Sequence, residues 1–449
     1  MVNTLLLPEL REMLADGNRA ELEEFCSALN AGRTAEFMEG LTTDQAWQVL
    51  MHAAAPRRAE IFSHFPEESQ LAILRQEDPA QIAELIGELA ADDRVDLLQG
   101  LSEARVNEIL PLLTAADRRD IQRLRAYPEG TAGSIMTTEM AKLDENLTVR
   151  QALDELANQS QFFETIYYLF IVADDNQLRG VVSARQLVTA LRTPQLQLSE
   201  LIETDVVTAL TTEDQESVAA KVERFNLLAI PVVDESRRLV GIITHDDIID
   251  VVREELNEDA QQMAAISPLD TDFLRIGLLT LSWKRGIWLA ILFFTALFTA
   301  FALKFYEAEL DRFAWLAWFI PLIISSGGNS GSQSATLVIT GMTSGTLRLK
   351  NWKTVMAREW IVSMLLGAFV ASFGLFVAIV VAPTPRDALV IPITLFFVVM
   401  CGCFCGAALP MIFKRLGLDP ALMSNPFVAG IVDILGIVIY LNVARMMLS

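Results

Sequence analysis

Residues 429–441 read AGIVDILGIVIYL, an apolar run interrupted by one carboxylate, Asp433. An ionised Asp at the centre of a membrane helix costs about 2.5–3.5 kcal/mol on insertion scales, so one found there marks a functional site by default. The run lies in a longer apolar segment, Ala421–Leu448, which exceeds the roughly 20 residues needed to cross a bilayer. This part of the chain therefore reads as a membrane domain, with Asp433 facing a water-filled cation path.

Four more runs could span a bilayer: Ile287–Leu303 with its flanks, Phe313–Met342, Trp360–Ala382 and Ala388–Phe413. No acid other than Asp433 is read inside these runs. The loops carry an uneven share of cations, with Lys284 and Arg285 before the first run, Arg348, Lys350, Lys353 and Arg358 after the second, and Lys414 and Arg415 after the fourth. The positive-inside bias puts those loops and everything N-terminal to them in the cytoplasm, and leaves the C-terminus outside. The second run holds PLIISSGGNSGSQSATLVIT, in which Pro321, Gly327, Gly328 and Gly331 weaken a helix that also carries Asn329. Polar or irregular backbone at membrane depth lines water or is buried in protein; small residues also allow close helix packing. In the fifth run Pro426, Gly430 and Asp433 fall on one helical face, just after Asn425. Oxygen donors without thiolate or imidazole suit Mg²⁺, Ca²⁺ or Mn²⁺. Hydrated Mg²⁺ needs only one or two carboxylates, and a two-fold dimer would bring two copies of Asp433 together.

The composition changes near residue 280. Up to Thr280 there are 50 acidic and 23 basic residues, and beyond it 7 and 12. An acidic soluble part is thus joined to a basic membrane part, which excludes nucleic acid as a partner and favours cations. The N-terminus, MVNTLLLPELREML, has no basic start or cleavage site and reads as no signal peptide. Cys26 is the sole soluble cysteine, so no disulfide framework is expected. Cys401, Cys403 and Cys405 read as small packing residues. Gly328–Gly331 fits the G-x-S-G pattern of an intramembrane serine protease, but His52, His64 and His245 all lie in the soluble part. Without a base the serine is no nucleophile, and no enzyme activity is expected. A transporter of anions or osmolytes is disfavoured by a central Asp with no buried Arg or Lys.

From about residue 42 to 125 the chain repeats every 12 residues or so, from TTDQAWQVL to TAADRRDIQRL. Each segment opens with a capping residue or Pro and continues with apolar residues at helical spacing, which predicts short helices stacked into a superhelix. Two copies of another unit follow, at 131–193 and 201–252. Each runs strand, helix, strand, turn, strand, helix. These resemble a tandem CBS pair, a regulatory module that often binds adenine nucleotides. The G-h-h-[ST]-x-x-D-h pattern recurs as Gly241, Thr244 and Asp247. In the first copy Gly180 and Ser183 fit, with Arg185 beside them, but Gln186 stands where an Asp usually holds the ribose. ATP at Ser183 and Arg185 is left open on that ground. Glu254, Glu255, Glu258 and Asp259 then crowd one helix, a solvated face or a surface for bridging cations.

GGNSGSQSATLVITG (327–341), LDPALMSNPFVAGIVDILGIVIYL (418–441), the CBS pair and the short-helix N-domain, in this order, resemble the MgtE family of magnesium channels over almost the full length. The resemblance implies a multidomain membrane protein. Its parts are an α-superhelical N-domain (1–130), an α+β tandem CBS pair (131–252), an acidic plug helix (253–275) and a five-helix α transmembrane domain (276–449). It implies a homodimer in a bacterial-type plasma membrane, with Mg²⁺ both transported and regulatory. Asp433 would hold hydrated Mg²⁺, with Asn425 lining the pore. Regulatory sites would map onto Glu60, Asp92 and Asp96, onto Asp214, Glu216, Asp246, Asp247 and Asp250, and onto Glu255, Glu258 and Asp259. Asn226 stands where the family has a further acid. Transport of Mn²⁺ or Co²⁺ is the alternative.

Overall fold

The computed structural model describes residues 6–159, 163–173, 175–269, 273 and 276–448. They form two compact units, Met1–Val252 and Arg253–Ser449. Of the expected plug segment 253–275, residues 270–272, 274 and 275 lie outside the described residues.

The first unit opens with ten short helices: α1 (Leu7–Asp16), α2 (Arg19–Ala28), α3 (Ala31–Met38), α4 (Thr43–Leu50), α5 (Ala55–Ser63), α6 (Glu67–Gln76), α7 (Pro79–Gly87), α8 (Ala91–Gln99), α9 (Glu103–Ile109) and α10 (Ala115–Leu124). Each starts 12 residues after the last, so the repeat read from residue 42 begins at residue 7. Asn18, Asn30, Thr42, Asp78, Ser102 and Thr114 accept hydrogen bonds from the first-turn amides, each cap being worth about 1 kcal/mol. Ala54 and Ala90 provide no side-chain cap. The helices bury one stripe each, and their core runs without a break into the second CBS copy through Leu124, Ala132, Met136, Ile230, Ile243 and Val251.

The two copies follow the expected plan. The first contains β1 (Met140–Asp144), α11 (Val149–Gln159), β2 (Thr165–Val172), β3 (Leu178–Ser183) and α12 (Ala184–Thr189). The second contains β4 (Ala209–Leu210), α13 (Gln215–Phe225), β5 (Ala229–Val233), β6 (Leu239–Thr244) and α14 (His245–Met263). In each sheet the middle strand is parallel to the first and antiparallel to the third. The two hairpin tips meet, Leu178 N donating to Arg237 O and Leu239 N to Asn176 O, at 3.0 and 2.9 Å. The motif glycines are there for backbone reasons. A Cβ on Gly180 would lie 2.4 Å from Glu203 O, and one on Gly241 would lie 2.8 Å from Thr137 O, because the segments at 203 and 137 pair alongside β3 and β6.

The second unit begins in the last turns of α14 and continues with α15 (Leu278–Phe305), α16 (Glu307–Arg312), α17 (Ile320–Thr343), α18 (Trp352–Val381), α19 (Val390–Arg415) and α20 (Asn425–Leu448). Among the described residues four helical segments, at α15, α18, α19 and α20, are long and apolar enough to cross a membrane. The expected second span, α17, has the length but is diluted by Ser, Asn, Gln and Gly. It was expected to be weakened, yet it is one continuous helix of 24 residues. Pro321 sits in its first turn, where no backbone donor is lost, and its glycines meet other helices. A Cβ on Gly406 would stand 2.1 Å from Gly331 O, and one on Gly402 2.5 Å from Gly327 O. The pairs Gly327/Gly331 and Gly402/Gly406 thus bring α17 and α19 together backbone to backbone, the packing mode of small residues in membranes.

Candidate functional site

In the membrane unit a polar seam runs between α17 and α20. Gly328, Ser332 and Thr336 recur every four residues on the α17 face that meets α20. Gly328 lies against Asp433, whose Oδ1 would be 3.3 Å from a Cβ placed there. Ser332 Oγ donates to Asn425 O and Thr336 Oγ1 to Asn425 Oδ1, both at 3.1 Å. Asp433 is half-buried, and Asn329, exposed, donates to Ser325 Oγ at 3.2 Å. The structure therefore sets Gly328 against Asp433 and places Asn425 on the same seam, about two turns away along α20. Pro426 lies in the first turn of α20. A Cβ on Gly430 would meet Thr295 of α15 at 2.9 Å, so this glycine also lets α15 pack closely on α20. Cys403 is buried against Ser330, in keeping with a packing role. The end of α14 docks on this unit, Met263 packing on Ala335, Ile339, Ala421, Val428 and Val432.

The sequence reading missed an acid here. Glu359 was taken to precede the third apolar run, but α18 starts seven residues earlier, at Trp352. Its Oε2 accepts a 2.8 Å hydrogen bond from Ser334 Oγ of α17. The signal was the apolar stretch on both sides of an isolated Glu, obscured by the neighbouring Arg358.

In the soluble unit acids from separate elements converge. Asp92 and Asp93 lie in the first turn of α8, Asp246, Asp247 and Asp250 at the start of α14, and Glu164 just before β2. Burial raises the Asp92 carboxyl well above its usual range, and Asp247, Asp93 and Glu164 add to the effect by repulsion. Asp92 Oδ1 is shut off from solvent without a hydrogen-bond partner. Burial, then the charges of Asp247, Glu139 and Asp246, push Glu164 up to about 7. Asp93 and Asp247 are raised by burial too; hydrogen bonds from Thr244 partly offset the rise at Asp247. Among the described residues no three of His, Cys, Asp or Glu form a ready ligand set for a metal ion; what exists is a field of mutually repelling carboxylates. Arg94, 7% exposed, borders it and bonds to Asp117 at 3.2 Å and Glu139 at 2.9 Å. Asp93, Glu164, Glu139 and Arg94 were not singled out from the sequence, because only the fold brings them to Asp247.

The other expected regulatory acids lie apart. Glu60 on α5 pairs with Arg57 at 2.6 Å. Asp96 is exposed, one turn beyond Asp92. Asp214 caps α13 through the Glu216 and Ser217 amides, and Glu216 is exposed in its first turn. Glu255, Glu258 and Asp259 follow on α14 within the second unit, Glu258 accepting from Gln262 at 2.7 Å. Asn226 is the left-handed residue that ends α13. At the doubtful nucleotide site, Ser183 and Gln186 are bonded to each other in a capping box, and Arg185 is exposed.

An N-domain and CBS pair, joined to long apolar helices with a carboxylate seam, are the parts of a membrane transporter of cations. Family profiles agree. A divalent cation transporter profile matches residues 320–443, the MgtE intracellular N domain matches 29–130, and CBS domains match 132–193 and 198–254. The chain is 37% identical to the magnesium transporter MgtE of Thermus thermophilus over 330 residues, 74% of this chain and 73% of that one. It is 34% identical to the Bacillus subtilis protein of the same name, over 72% and 71% of the two chains. The crystal structure of the soluble part of a magnesium transporter superposes with a TM-score of 0.52 at 32% identity, covering 55% of this chain and 97% of that one. The cytosolic domain of the Mg²⁺ channel MgtE in complex with ATP gives 0.51 at 33% identity, covering 54% and 98%. The chain belongs to the MgtE family, a family of transporters rather than enzymes.

Proposed function

We propose that this protein carries Mg²⁺ across the plasma membrane as a homodimer with five spans per chain, its N-terminus in the cytoplasm and its C-terminus outside. Hydrated Mg²⁺ is held by the paired Asp433 carboxylates, one from each copy. The observation that carries the reading is Asp433 set against Gly328 and next to the Asn425 seam. A carboxylate kept there at a cost of kilocalories needs a cationic partner, and the adjoining donors and acceptors suit the water shell that Mg²⁺ retains. Cytosolic Mg²⁺ closes the path. It bridges Asp92 and Asp93 to Asp246, Asp247 and Asp250, with Glu60, Asp96, Asp214 and Glu216 as further soluble ligands and Glu255, Glu258 and Asp259 as ligands on the plug. The carboxyls raised by burial and then by mutual repulsion support this, as does Met263, at the end of α14, packed near the C-terminal half of α17.

The test is Mg²⁺ uptake by vesicles holding the purified protein. Asp433→Ala should cut uptake by at least about tenfold, the effect of losing roughly 1.4 kcal/mol of ion stabilisation, while the dimer still assembles. Undiminished uptake would remove Asp433 from the path.

A further inference from the structure

α17 carries polar side chains on two opposite faces. Gly328, Ser332 and Thr336 meet α20 at Asp433 and Asn425. Ser330 and Ser334, about half a turn round at 100° per residue, point away from it and are 9% and 5% exposed. On this back face the glycine contacts with α19 are close but have no direction. Ser330 Oγ reaches Val399 O only at 3.4 Å. The short bond is Ser334 Oγ to Glu359 Oε2, 2.8 Å, from α17 to α18. α18 itself packs along α19 and shares a small apolar cluster with α17 through Val355, Val338 and Met342, so the Glu359 side chain adds a directed contact to an undirected one. A turn of α17 by about 20° would move a side-chain atom about 5 Å from the axis by nearly 2 Å, against a backbone radius of about 2.3 Å. Such a turn would dismantle the Thr336–Asn425 contact and separate Gly328 from Asp433.

We propose that Glu359 is a positioning residue that, through Ser334, fixes the rotation at which α17 presents Gly328, Ser332 and Thr336 to Asp433 and Asn425. The role rests on the transport reading above. It requires an acceptor oxygen at residue 359 and a hydroxyl at residue 334; it does not require the negative charge. The geometry names the partner of this carboxyl, Ser334 Oγ.

The experiment measures Mg²⁺ uptake in vesicles for the wild type, Glu359→Ala, Glu359→Gln, Ser334→Ala and the Glu359→Ala/Ser334→Ala pair, together with recovery of assembled protein. Glu359→Ala and Ser334→Ala should each lower uptake about three- to eighteenfold, the span set by interhelical hydrogen bonds of about 0.6–1.7 kcal/mol. The double variant should be no worse than the poorer single one, and Glu359→Gln should keep at least half of wild-type uptake. Should Glu359→Ala fail to assemble, Ser334→Ala and Glu359→Gln carry the comparison. A Glu359→Gln variant as poor as Ser334→Ala, fully additive losses, or full uptake by Ser334→Ala would each overturn the positioning role alone. A wild type without Mg²⁺ uptake would overturn the transport reading and this role with it.

Discussion

At the residue scale the soluble unit turns on a few carboxylates that fold into each other's fields. Glu164 has its pKa raised from 4.5 to about 7, first by burial and then by Asp247, Glu139 and Asp246. A raised carboxylate stabilises the compact form fully only below its unfolded value, and that contribution is lost as pH rises through the folded value. Asp92, Asp93 and Asp247 are shifted in the same direction. The compact soluble unit should therefore resist proteolysis more strongly at pH 5.5 than at pH 7.5 when Mg²⁺ is chelated. Adding Mg²⁺ should protect at pH 7.5 and add little at pH 5.5, since protons and cations relieve the same repulsion. Glu164→Gln should flatten the pH response. Limited proteolysis of the full-length protein measures all three, and protection that falls on acidification would refute the repulsion argument. These acids were only half legible in the sequence: Asp92 and Asp247 through family resemblance, Asp93 and Glu164 not at all. A Glu at the mouth of a strand resembles any solvated acid until α8 and α14 meet beside it.

At the scale of elements, spacing was the readable quantity. The 12-residue rhythm gave α4 to α10 from the sequence, and the Asn18 and Asn30 caps show that it continues through α2 and α3. Those first helices escaped notice because their apolar stripes are sparse: α1 buries Leu10 alone and α2 only Leu22 and Cys26. The strand order of both CBS copies was equally plain, since alternation and turns are local signals. The start of α18 was not, because Lys353 and Arg358 dilute its first turns with charge; Glu359 was missed with it. The glycines of α17 carried two meanings, close packing and a polar path, and the structure assigns Gly327 and Gly331 to α19 and Gly328 to Asp433. Packing glycines of this kind have a sharp consequence. A methyl group on Gly406 would sit 2.1 Å from Gly331 O, a backbone atom that cannot swing aside, whereas one on Gly286 would meet open space. Gly406→Ala should lower the melting temperature of the detergent-solubilised protein by several degrees, as overpacking costs of about 1–3 kcal/mol require. Gly286→Ala should leave it unchanged or raise it slightly, since Ala is the better helix former by about 1 kcal/mol. Equal melting temperatures for the two variants would mean that α17 and α19 do not meet backbone to backbone.

For the whole molecule the contrast is one of charge, 50 acids against 23 bases up to residue 280 and 7 against 12 beyond it. On the proposed gating, acids that crowd on folding destabilise the compact form without cations, and ions that bind it more tightly than the open form shift the population toward it. Moving that balance from 1:99 to 99:1 takes about 5.5 kcal/mol, while one site filled at about 100 times its dissociation constant contributes roughly 2.7 kcal/mol. One ion is too few; two or more must act together, so closure by internal Mg²⁺ should be steeper than single-site binding. A variant lacking residues 1–275 keeps the Asp433 seam and loses every carboxylate of this switch. In vesicles with the cytosolic face titrated separately, it should carry Mg²⁺ at a rate independent of internal Mg²⁺, whereas the full chain should close with a Hill coefficient above one. Inhibition that survives the deletion would move the sensor into the membrane helices themselves, and closure of the full chain with single-site steepness would leave the acid field without a regulatory role.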